Sequence, residues 1–449
     1  MKPLQMPMFS PETEWIPPTH LPDLKDHKEI AIDLETRDPG LKSSGSGSVN
    51  GNGEVVGIAV AVEGWSGYFP IAHEGGGNMD RALVLDWFEE VLHTDATKIF
   101  HNAMYDVSWI RSMGFYIRGG VIDTLIAASL IDENRWGYAL NALGKQYVGV
   151  GKNEKILNDA AKSWGIDPKA DMWRLPAPLV GEYAEQDAVL TLRLWHALQR
   201  EISSQDLWDV FNLETNLFPC LIDMKFKGVR VDAEKANLLK QELIKEEKNI
   251  YRGIRKLIGF DVEIWAAASI AKAFDEVKLP YDRTEKGAPS FTKNFLSTHP
   301  HELPKAIANA REINKAHTTF IDTIIKHEHN GRIHADINQI RSDDGGTVTG
   351  RFSYSNPNLQ QIPARNKDLG PKIRALFIPE KNHTWGCFDY SQQEPRIVVH
   401  FASLLKLEGS QTIVDQYNAG EADFHQMIAD MAGIERKQAK TINLGLMYG

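Results

Sequence analysis

Two apolar runs near the start of the chain most constrain its fold. EIAIDLET, which begins at residue 29, is short, apolar and followed by a turn, and it predicts a buried strand. VVGIAVAVEGWSGYFPIA, which begins at residue 55, predicts a hairpin-like pair of strands, and LKSSGSGSVNGNGE before it is expected to be a flexible loop. The apolar spacing is helical from Asp80 to Leu92 and from Asp123 to Leu143. This order predicts an α/β layer structure up to about residue 205.

The rest of the chain divides into a helical region and a second mixed region. Residues 1–26 are proline-rich and predict an extended lead-in. ETNLFPCLIDMKFKG predicts an amphipathic helix, and a long charged helix follows with Asp232 as its N-cap; its charges are most simply a solvated face. After GGTVTGRFSYSNPNLQQIP the pattern returns to α/β. We therefore expect four parts, at 1–26, 27–205, 206–345 and 346–449.

Composition excludes several classes of protein. At about 100–200 residues per domain, two to four domains are expected. The net charge of −10 argues against coating nucleic acid by bulk charge but leaves room for a local basic groove. Cys220 and Cys387, without a CxxC pair, suggest neither a disulfide framework nor a zinc site. The sequence has no run of 18 apolar residues and no signal-like start, so we expect a soluble intracellular protein without a membrane partner.

Three short segments carry carboxylates and a tyrosine at regular spacing. Asp33 and Glu35 lie two apart on the predicted strand and share a face, although such a pair also occurs by chance on surface strands. HNAMYDVSWI and EYAEQDAVLTLRLW each place two polar residues four apart on one helix face: Asn102 with Asp106, and Tyr183 with Asp187. A carboxylate inside the apolar helix YAEQDAVLTL needs a partner, because burying it unpaired is costly. The alternative is a capping or solvated aspartate, but the three segments together favour a metal site.

Four carboxylates suit the cleavage of a phosphodiester. The reaction concentrates negative charge on the phosphoryl, attacking and leaving oxygens, and two divalent cations about 4 Å apart would neutralise it. Magnesium and manganese prefer carboxylate oxygens and water, and the sequence has no histidine or cysteine cluster of the kind that favours zinc. The sequence therefore predicts a site for two Mg²⁺ or Mn²⁺ ions.

Over about residues 28–200, the order DLE, NAMYD, YAEQD resembles the DEDDy 3′–5′ exonucleases of the proofreading type, and HNAMYDV is especially specific. The resemblance implies a ribonuclease H-like fold that acts on single-stranded 3′ ends of DNA. It implies that Asp33, Glu35 and Asp187 hold the first metal ion and that Asp33 also holds the second. By the same resemblance Asp106 completes the shell through water, and Tyr183 orients the nucleophilic water.

TVTGRFSYSNPNLQQIPAR is rich in turn formers, amide side chains and arginines. It predicts either a polar loop or a nucleic-acid contact. In the second case the amides would bond base edges and sugars, and Arg351 and Arg365 would bond phosphate or the minor groove.

WGCFDYSQQEPRIVVHFA combines an apolar run with an acidic group. The run to Phe388 predicts a buried strand with Asp389 at its carboxyl end, a common place for catalytic groups in α/β layers. SQQEPR then predicts the start of a helix with Ser391 as its N-cap.

IERKQAKTINLGLMYG predicts a helix with an unusual stripe. Its residues at four-residue spacing share one face: Arg436, Lys440, Leu444 and Tyr448. The stripe is either a solvated edge with one buried tyrosine or a triphosphate clamp, in which the cations bind phosphates and the tyrosine ring packs on a base.

Together these segments resemble the family-A DNA polymerases, the bacterial polymerase I and phage type, and the likeness covers nearly the whole chain. It implies a helical thumb at 206–345 and the amino-terminal part of palm and fingers at 346–449. DYSQQEPR is similar to motif A, which implies that Asp389 and the Tyr390 carbonyl bind two magnesium ions and that Glu394 excludes a ribose 2′-OH. RKQAKTINLGLMYG is similar to motif B. It implies that Arg436 and Lys440 bind dNTP phosphates, Leu444 contacts the sugar and Tyr448 packs at the templating position. TGRFS…PNLQQIP implies contacts to primer–template DNA from Arg351, Asn358 and Gln360. In the exonuclease segment, Asn102 is expected to be a further DNA contact.

Three departures from this family's pattern bear on activity. Gln393 and Pro395 replace the usual Ile and Leu of motif A, and Leu444 replaces an aromatic residue of motif B. The His-Asp-Glu motif C is absent up to Gly449. The alternatives are a split polymerase, an interrupted or truncated gene product, or an exonuclease with a vestigial polymerase half.

The sequence thus leaves three functions open. The first is a proofreading exonuclease that forms part of a DNA polymerase, whose dNTP incorporation needs a second polypeptide carrying motif C. The second is a free-standing 3′–5′ exonuclease, and the third is a non-catalytic DNA-binding subunit, against which the complete carboxylate set argues. The expected location is the cytoplasm of a bacterium or phage-infected host, and a processivity factor is left open as a partner.

Overall fold

A computed structural model describes residues 11–364 and 366–448 of the chain. Arg365, Gly449 and the first ten residues of the predicted lead-in lie outside the described residues. The contacts divide the chain into two units, one up to Ile378 and one from Pro379. The four part boundaries expected from the sequence stay predictions.

The three predicted strands form one side of a five-stranded sheet. Its strands are β1 (Glu29–Arg37), β2 (Glu54–Val62), β3 (Trp65–Pro70), β4 (Thr97–Phe100) and β5 (Val121–Asp123). Their order is β3-β2-β1-β4-β5; β2 is antiparallel to both β1 and β3, whereas β4 is parallel to both β1 and β5. Because side chains alternate along β1, Ile30 and Ile32 lie on one face, and Ala31, Asp33 and Glu35 lie on the other.

Helices cover both faces of this sheet. They are α1 (Leu41–Ser44), α2 (Gly47–Asn50), α3 (Arg81–Leu92), α4 (Ala103–Ser112), α5 (Thr124–Ile131), α6 (Leu140–Leu143), α7 (Lys155–Trp164) and α8 (Pro178–Ser204), with a π-helical turn at Gly144–Val148 and a 3₁₀ turn at Met172–Arg174. On the face of Asp33, small side chains of the sheet, Ala31, Ala59 and Ala61, share one core with Ala184 and Ala188 of α8. Their small size lets this long helix lie close to the sheet.

Two local expectations for this region are corrected by the structure. The stretch expected to be a flexible loop contains α1 and α2, and Ser46 caps α2 by accepting a hydrogen bond from Ser48 N. The helix expected from Asp123 to Leu143 is interrupted after Ile131, where Asp132 adopts an extended backbone. The Tyr138 hydroxyl donates to Asp132 O at 2.8 Å, so the interruption is held in place.

The following region is mainly helical, as expected. Its elements are α9 (Trp208–Lys227), β6 (Val229–Arg230), α10 (Ala233–Ile258), α11 (Ala267–Glu276), β7 (Asp282–Arg283), β8 (Pro289–Ser290), α12 (Lys293–Thr298), α13 (Glu302–Lys315), α14 (Asp322–His327), β9 (Glu328–His329), β10 (Arg332–Ile333), β11 (Asp336–Asn338), β12 (Ser353–Ser355) and α15 (Leu369–Arg374), with a π-helical segment at Ala316–Ile321 and a 3₁₀ turn at Leu359–Gln361. Asp232 caps α10, as predicted, by accepting from Lys235 N at 2.8 Å. None of the described helices is long and apolar enough to cross a membrane.

The second unit contains α16 (Gln393–Leu404), α17 (Ser410–Asn418), α18 (Phe424–Ala432) and α19 (Arg436–Tyr448). The buried strand predicted up to Phe388 is wrong, because residues 384–390 are exposed and form no ladder with any described segment. The backbone N–H and C=O groups of a strand need hydrogen-bond partners on a neighbouring strand. An apolar run does not itself provide that neighbour. Ser391 is not the N-cap either: α16 begins two residues later, after Gln392 in a left-handed conformation.

Candidate functional sites

Three carboxylates converge where β1 meets α8. One ligand oxygen from each of Asp33, Glu35 and Asp187 lies within 4.8 Å of the others. The two-residue spacing on β1 turns Asp33 and Glu35 toward α8, and α8 brings Asp187 to them. Among the described residues, this is the group of three or more potential ligands that could hold a metal ion.

Asp106 approaches the same site from α4. Its Oδ1 accepts a hydrogen bond from Leu34 N at 3.0 Å, and its side chain is buried. A second buried carboxylate, Asp123, fixes the start of α4: its oxygens accept from Asn102 N at 2.9 Å and Ala103 N at 2.8 Å. Asn102 precedes α4 in a left-handed conformation with φ of 69°, so this clamp sets the direction in which α4 presents Asp106.

Tyr183 and Asp187 share a face of α8 with a lysine between their polar atoms. Lys152 Nζ lies 2.5 Å from Asp187 Oδ2 and donates to the Tyr183 hydroxyl at 3.3 Å. Asp187 Oδ1 is buried and has no hydrogen-bond partner among the described residues. One oxygen of Asp187 is therefore paired, and the other is available for a ligand.

Burial is the largest cause of the raised pKa values of these carboxylates. Burial and the neighbouring Asp187 raise the pKa of Asp33 to about 7, while Lys152 partly offsets them. Burial and Asp33 also raise the pKa values of Glu35 and Asp106 well above their usual range. For the Tyr183 hydroxyl, burial and Asp187 raise the pKa so far that it stays protonated. A cluster of buried carboxylates with such shifts is typical of a functional site.

The donor set fits hard divalent cations. Carboxylate oxygens are the ligands that Mg²⁺ and Mn²⁺ prefer, and cations would offset the repulsion that raises these pKa values. The unpartnered Asp187 Oδ1 is a buried acceptor that a bound ion would satisfy.

A cavity of about 230 Å³ opens beside the carboxylates. Asp33, Asn102 and Lys152 line it, together with the loop Ser342–Asp344 from the segment before TGRFS. Asp343 Oδ1 accepts a hydrogen bond from Tyr138 N at 2.7 Å and so fastens this loop to the cavity wall. Gly346, which follows the loop, has φ of 87°, and a Cβ there would meet Ile340 O at 2.1 Å.

The predicted DNA-contacting residues near TGRFS lie on an exposed surface of the first unit. Asn358 caps the turn Leu359–Gln361 by accepting from Gln360 N at 3.1 Å. Gln360 Nε2 donates to Phe352 O at 3.0 Å, and the Arg351 carbonyl accepts from Thr347 Oγ1 at 2.7 Å. The side chains of Arg351, Asn358 and Gln360 are exposed. The segment is thus an ordered, solvent-facing loop.

In the second unit, the structure brings part of motif A to part of motif B. The Tyr448 hydroxyl donates to Glu394 Oε1 at 3.3 Å, which joins α19 to the start of α16. Asp389 and Tyr390 precede α16 and are exposed, and Asp389 belongs to no metal-ligand group among the described residues.

The cationic stripe on α19 forms as predicted. Arg436 and Lys440 are exposed, and Arg436 Nε lies 2.8 Å from Asp423 Oδ2. Leu444 is half-buried, and Tyr448 is exposed rather than buried, contrary to the solvated-edge alternative.

Sequence reasoning missed Lys152, Asp123 and Asp343. Lys152 stands in a loop between the π-helical turn and α7, so no helical or strand spacing marks it. Asp123 could have been found, because an aspartate directly before an apolar helix is a capping signal. Asp343 acts across the fold, on a residue about two hundred positions away, which local patterns do not reveal.

Comparison with known families accounts for nearly the whole chain. Residues 19–203 match the family described as 3′-5′ exonuclease, and residues 233–449 match the family described as DNA polymerase family A. A DNA-directed DNA polymerase of Pseudomonas phage M6 is 38% identical over 99% of this chain and 71% of its own length. DNA polymerase DpoZ of Salmonella phage PMBT28 is 30% identical over 95% of this chain and 70% of its length. DNA polymerase I of Pseudomonas aeruginosa is also 30% identical, with 47% of its length covered.

The fold has a solved counterpart. The POL domain of Pol1 from M. smegmatis, in complex with DNA primer-template and dNTP, superposes with a TM-score of 0.70 at 21% identity, over 95% of this chain and 69% of that chain. The α/β architecture with a helical middle region is therefore that of a family A polymerase. The chain belongs to family A of the DNA polymerases and carries a 3′–5′ exonuclease domain.

Proposed function

We propose that the exonuclease domain removes nucleotides from single-stranded 3′ ends of DNA and proofreads for the polymerase domain. The observation that carries this proposal is the convergence of Asp33, Glu35 and Asp187, with one buried oxygen of Asp187 left without a partner. Two Mg²⁺ or Mn²⁺ ions, held by these three residues with Asp106 nearby, would neutralise the charge that develops during phosphodiester cleavage.

The side chains around the carboxylates have separate tasks in this proposal. The Tyr183 hydroxyl stays protonated, so it orients the attacking water by a hydrogen bond and does not act as a base. The Asp123 clamp fixes Asn102 at the cavity wall, where its exposed amide contacts the DNA strand. The cavity beside Asp33 receives the terminal nucleotide.

For the polymerase domain we propose templated dNTP incorporation on a primer–template. In it Asp389 and the Tyr390 carbonyl bind magnesium, Glu394 excludes the 2′-OH, and Arg436 and Lys440 bind the triphosphate. The contact between Tyr448 and Glu394 supports this, because it joins motif B to motif A. The primer–template and dNTP of the M. smegmatis complex support the same ligands here.

Further elements of the proposal concern partners. Arg351, Asn358 and Gln360 contact the primer–template, and Leu444 contacts the nucleotide sugar. We also propose a second chain as a source of motif C for incorporation, and a processivity factor as a further partner. The proposed location is the cytoplasm of a bacterium or phage-infected cell.

One gel with a labelled primer–template tests the exonuclease proposal. Mg²⁺ is expected to start digestion from the 3′ end, and Asp33→Ala with Glu35→Ala should abolish digestion while duplex binding remains. Asp86→Ala with Glu90→Ala removes two exposed carboxylates from α3 and serves as the matched control, with digestion unchanged. Digestion that survives the Asp33/Glu35 change would remove this site from the mechanism.

The alternative is a free-standing exonuclease with a vestigial polymerase half. The same gel separates the two when dNTPs and a motif-C polypeptide are added. Primer extension under those conditions supports the polymerase proposal, whereas unchanged digestion supports the alternative.

A further inference from the structure

Lys152 is a nearly buried cation at the exonuclease site. Its side chain is 12% exposed, and that of its partner Asp187 is 5% exposed. Lysine is seldom buried unless it is paired, and a buried pair contributes little net stability because both ions lose their hydration. A role beyond folding would explain why the site contains a lysine.

The backbone on both sides of Lys152 is fixed. Lys152 N donates to Asn141 Oδ1 at 3.0 Å, which ties the loop to α6. Gln186 of α8 holds both neighbours: its Nε2 donates to Gly151 O at 3.2 Å, and its Oε1 accepts from Asn153 N at 2.6 Å. The Lys152 ammonium group therefore extends into the site from a loop whose backbone is held by hydrogen bonds.

The hydrogen bonds of Lys152 leave capacity for a ligand. An ammonium group has three donors. Lys152 uses two of them, on Asp187 Oδ2 and the Tyr183 hydroxyl, and its side chain also lines the 230 Å³ cavity. One donor remains for an acceptor in the cavity, beside the residues proposed to handle the attacking water.

The charges of the cavity indicate what that acceptor is. Of the described residues that line it, Lys152 alone carries a positive charge, while Asp33, Asp343 and Asp344 are acidic. His101 adds no charge near neutral pH, because burial lowers its pKa to about 4. Two divalent cations would offset the four site carboxylates. Asp343 and Asp344 remain negative, so Lys152 is the group of this described lining that can meet the negative charge of a phosphodiester.

We propose that Lys152 binds a non-bridging oxygen of the 3′-terminal phosphodiester while it holds Asp187 through Oδ2. The proposal rests on the proposed exonuclease function and adds the residue that recognises the scissile linkage. It predicts that the effect of Lys152 on binding depends on the charge of that one linkage.

The test is a thermodynamic cycle that combines the change of Lys152 with removal of the negative charge from the 3′-terminal linkage. Two fluorescent single-stranded oligonucleotides are compared by anisotropy, with Ca²⁺ in place of Mg²⁺ and their integrity checked on a gel. One is unmodified, and the other has a methylphosphonate at the 3′-terminal linkage, which removes the negative charge there. Lys152→Met is expected to weaken binding of the unmodified strand by about tenfold, the scale of one charge-assisted hydrogen bond. It should change binding of the methylphosphonate strand by less than about twofold.

Two further variants control the cycle. Lys152→Arg keeps the charge and should retain most of the binding. Nearly unchanged binding of the methylphosphonate strand by Lys152→Met excludes a mere folding defect in that variant. Lys155→Met removes an exposed lysine three residues away and should affect neither strand. Equal weakening of both strands by Lys152→Met, or no weakening of either, would overturn the proposal. Wild-type protein that binds neither strand and digests neither in Mg²⁺ would instead overturn the proposed exonuclease function.

Discussion

The stability of the metal-free exonuclease domain is expected to fall as the pH rises, because of Asp33. Burial and Asp187 raise its pKa in the folded state from 3.8 to about 7. Between these two pKa values the folded state binds more protons than the unfolded state. The free energy of unfolding therefore decreases as the pH rises. Asp33→Asn removes the share of this decrease that Asp33 causes, whereas Glu35 and Asp106, whose pKa values burial also raises, keep theirs.

The size of the effect follows from the shift. The rise in the pKa of Asp33 from 3.8 to about 7 means that, at pH 8, its ionised carboxylate destabilises the folded state by about 4 kcal/mol. Asp33→Asn should therefore raise the free energy of unfolding by up to about 4 kcal/mol at pH 8 and change it little at pH 4. For a domain of this size, that is roughly 10 °C in melting temperature.

The assay is thermal melting in EDTA at pH 4, 6 and 8. Wild-type protein should melt at a lower temperature as the pH rises, and Asp33→Asn should show a flatter profile. Asp86→Asn, at an exposed position on α3, is the matched control and should follow the wild type. Mg²⁺ at pH 8 should raise the melting temperature of the wild type more than that of Asp33→Asn. Equal pH profiles for wild type and Asp33→Asn would refute the reasoning.

Two other perturbations test single groups. Tyr183→Phe removes the hydroxyl and keeps the buried ring, so single-turnover digestion should slow by about a hundredfold, the scale of lost positioning, while the melting temperature stays within a few degrees. Slowing by less than about tenfold would argue against water orientation by this hydroxyl. Asp232→Ala removes the N-cap of α10 and should cost about 1 kcal/mol in urea unfolding without changing digestion. An unchanged unfolding midpoint would mean that solvent or another group satisfies Lys235 N.

The convergence of Asp33, Glu35 and Asp187 was predictable because the spacing within each segment is local. Alternation along β1 sets Asp33 and Glu35 on one face, and the helical period sets Tyr183 and Asp187 on another. Burial of both elements then leaves one arrangement in which these faces meet. The fold class followed from the same periodicities.

Features that depend on distant partners were not predictable from periodicity. The apolar run before Asp389 has the composition of a strand, yet a strand exists only where a neighbour pairs with it. Lys152 is placed by hydrogen bonds from Asn141 and Gln186, on two separate helices. Such contacts are set by the packed fold.

The hydrogen bond between Asp343 and Tyr138 N attaches one loop to two of the sites proposed above. The loop Ser342–Asp344 forms a wall of the exonuclease cavity and continues into TGRFS, the segment proposed to contact duplex DNA. If binding at either place moves this loop, a ligand at the TGRFS segment would change the affinity of the cavity for a 3′ end. By thermodynamic reciprocity, an occupied cavity would then change the affinity of that segment for duplex DNA by the same factor.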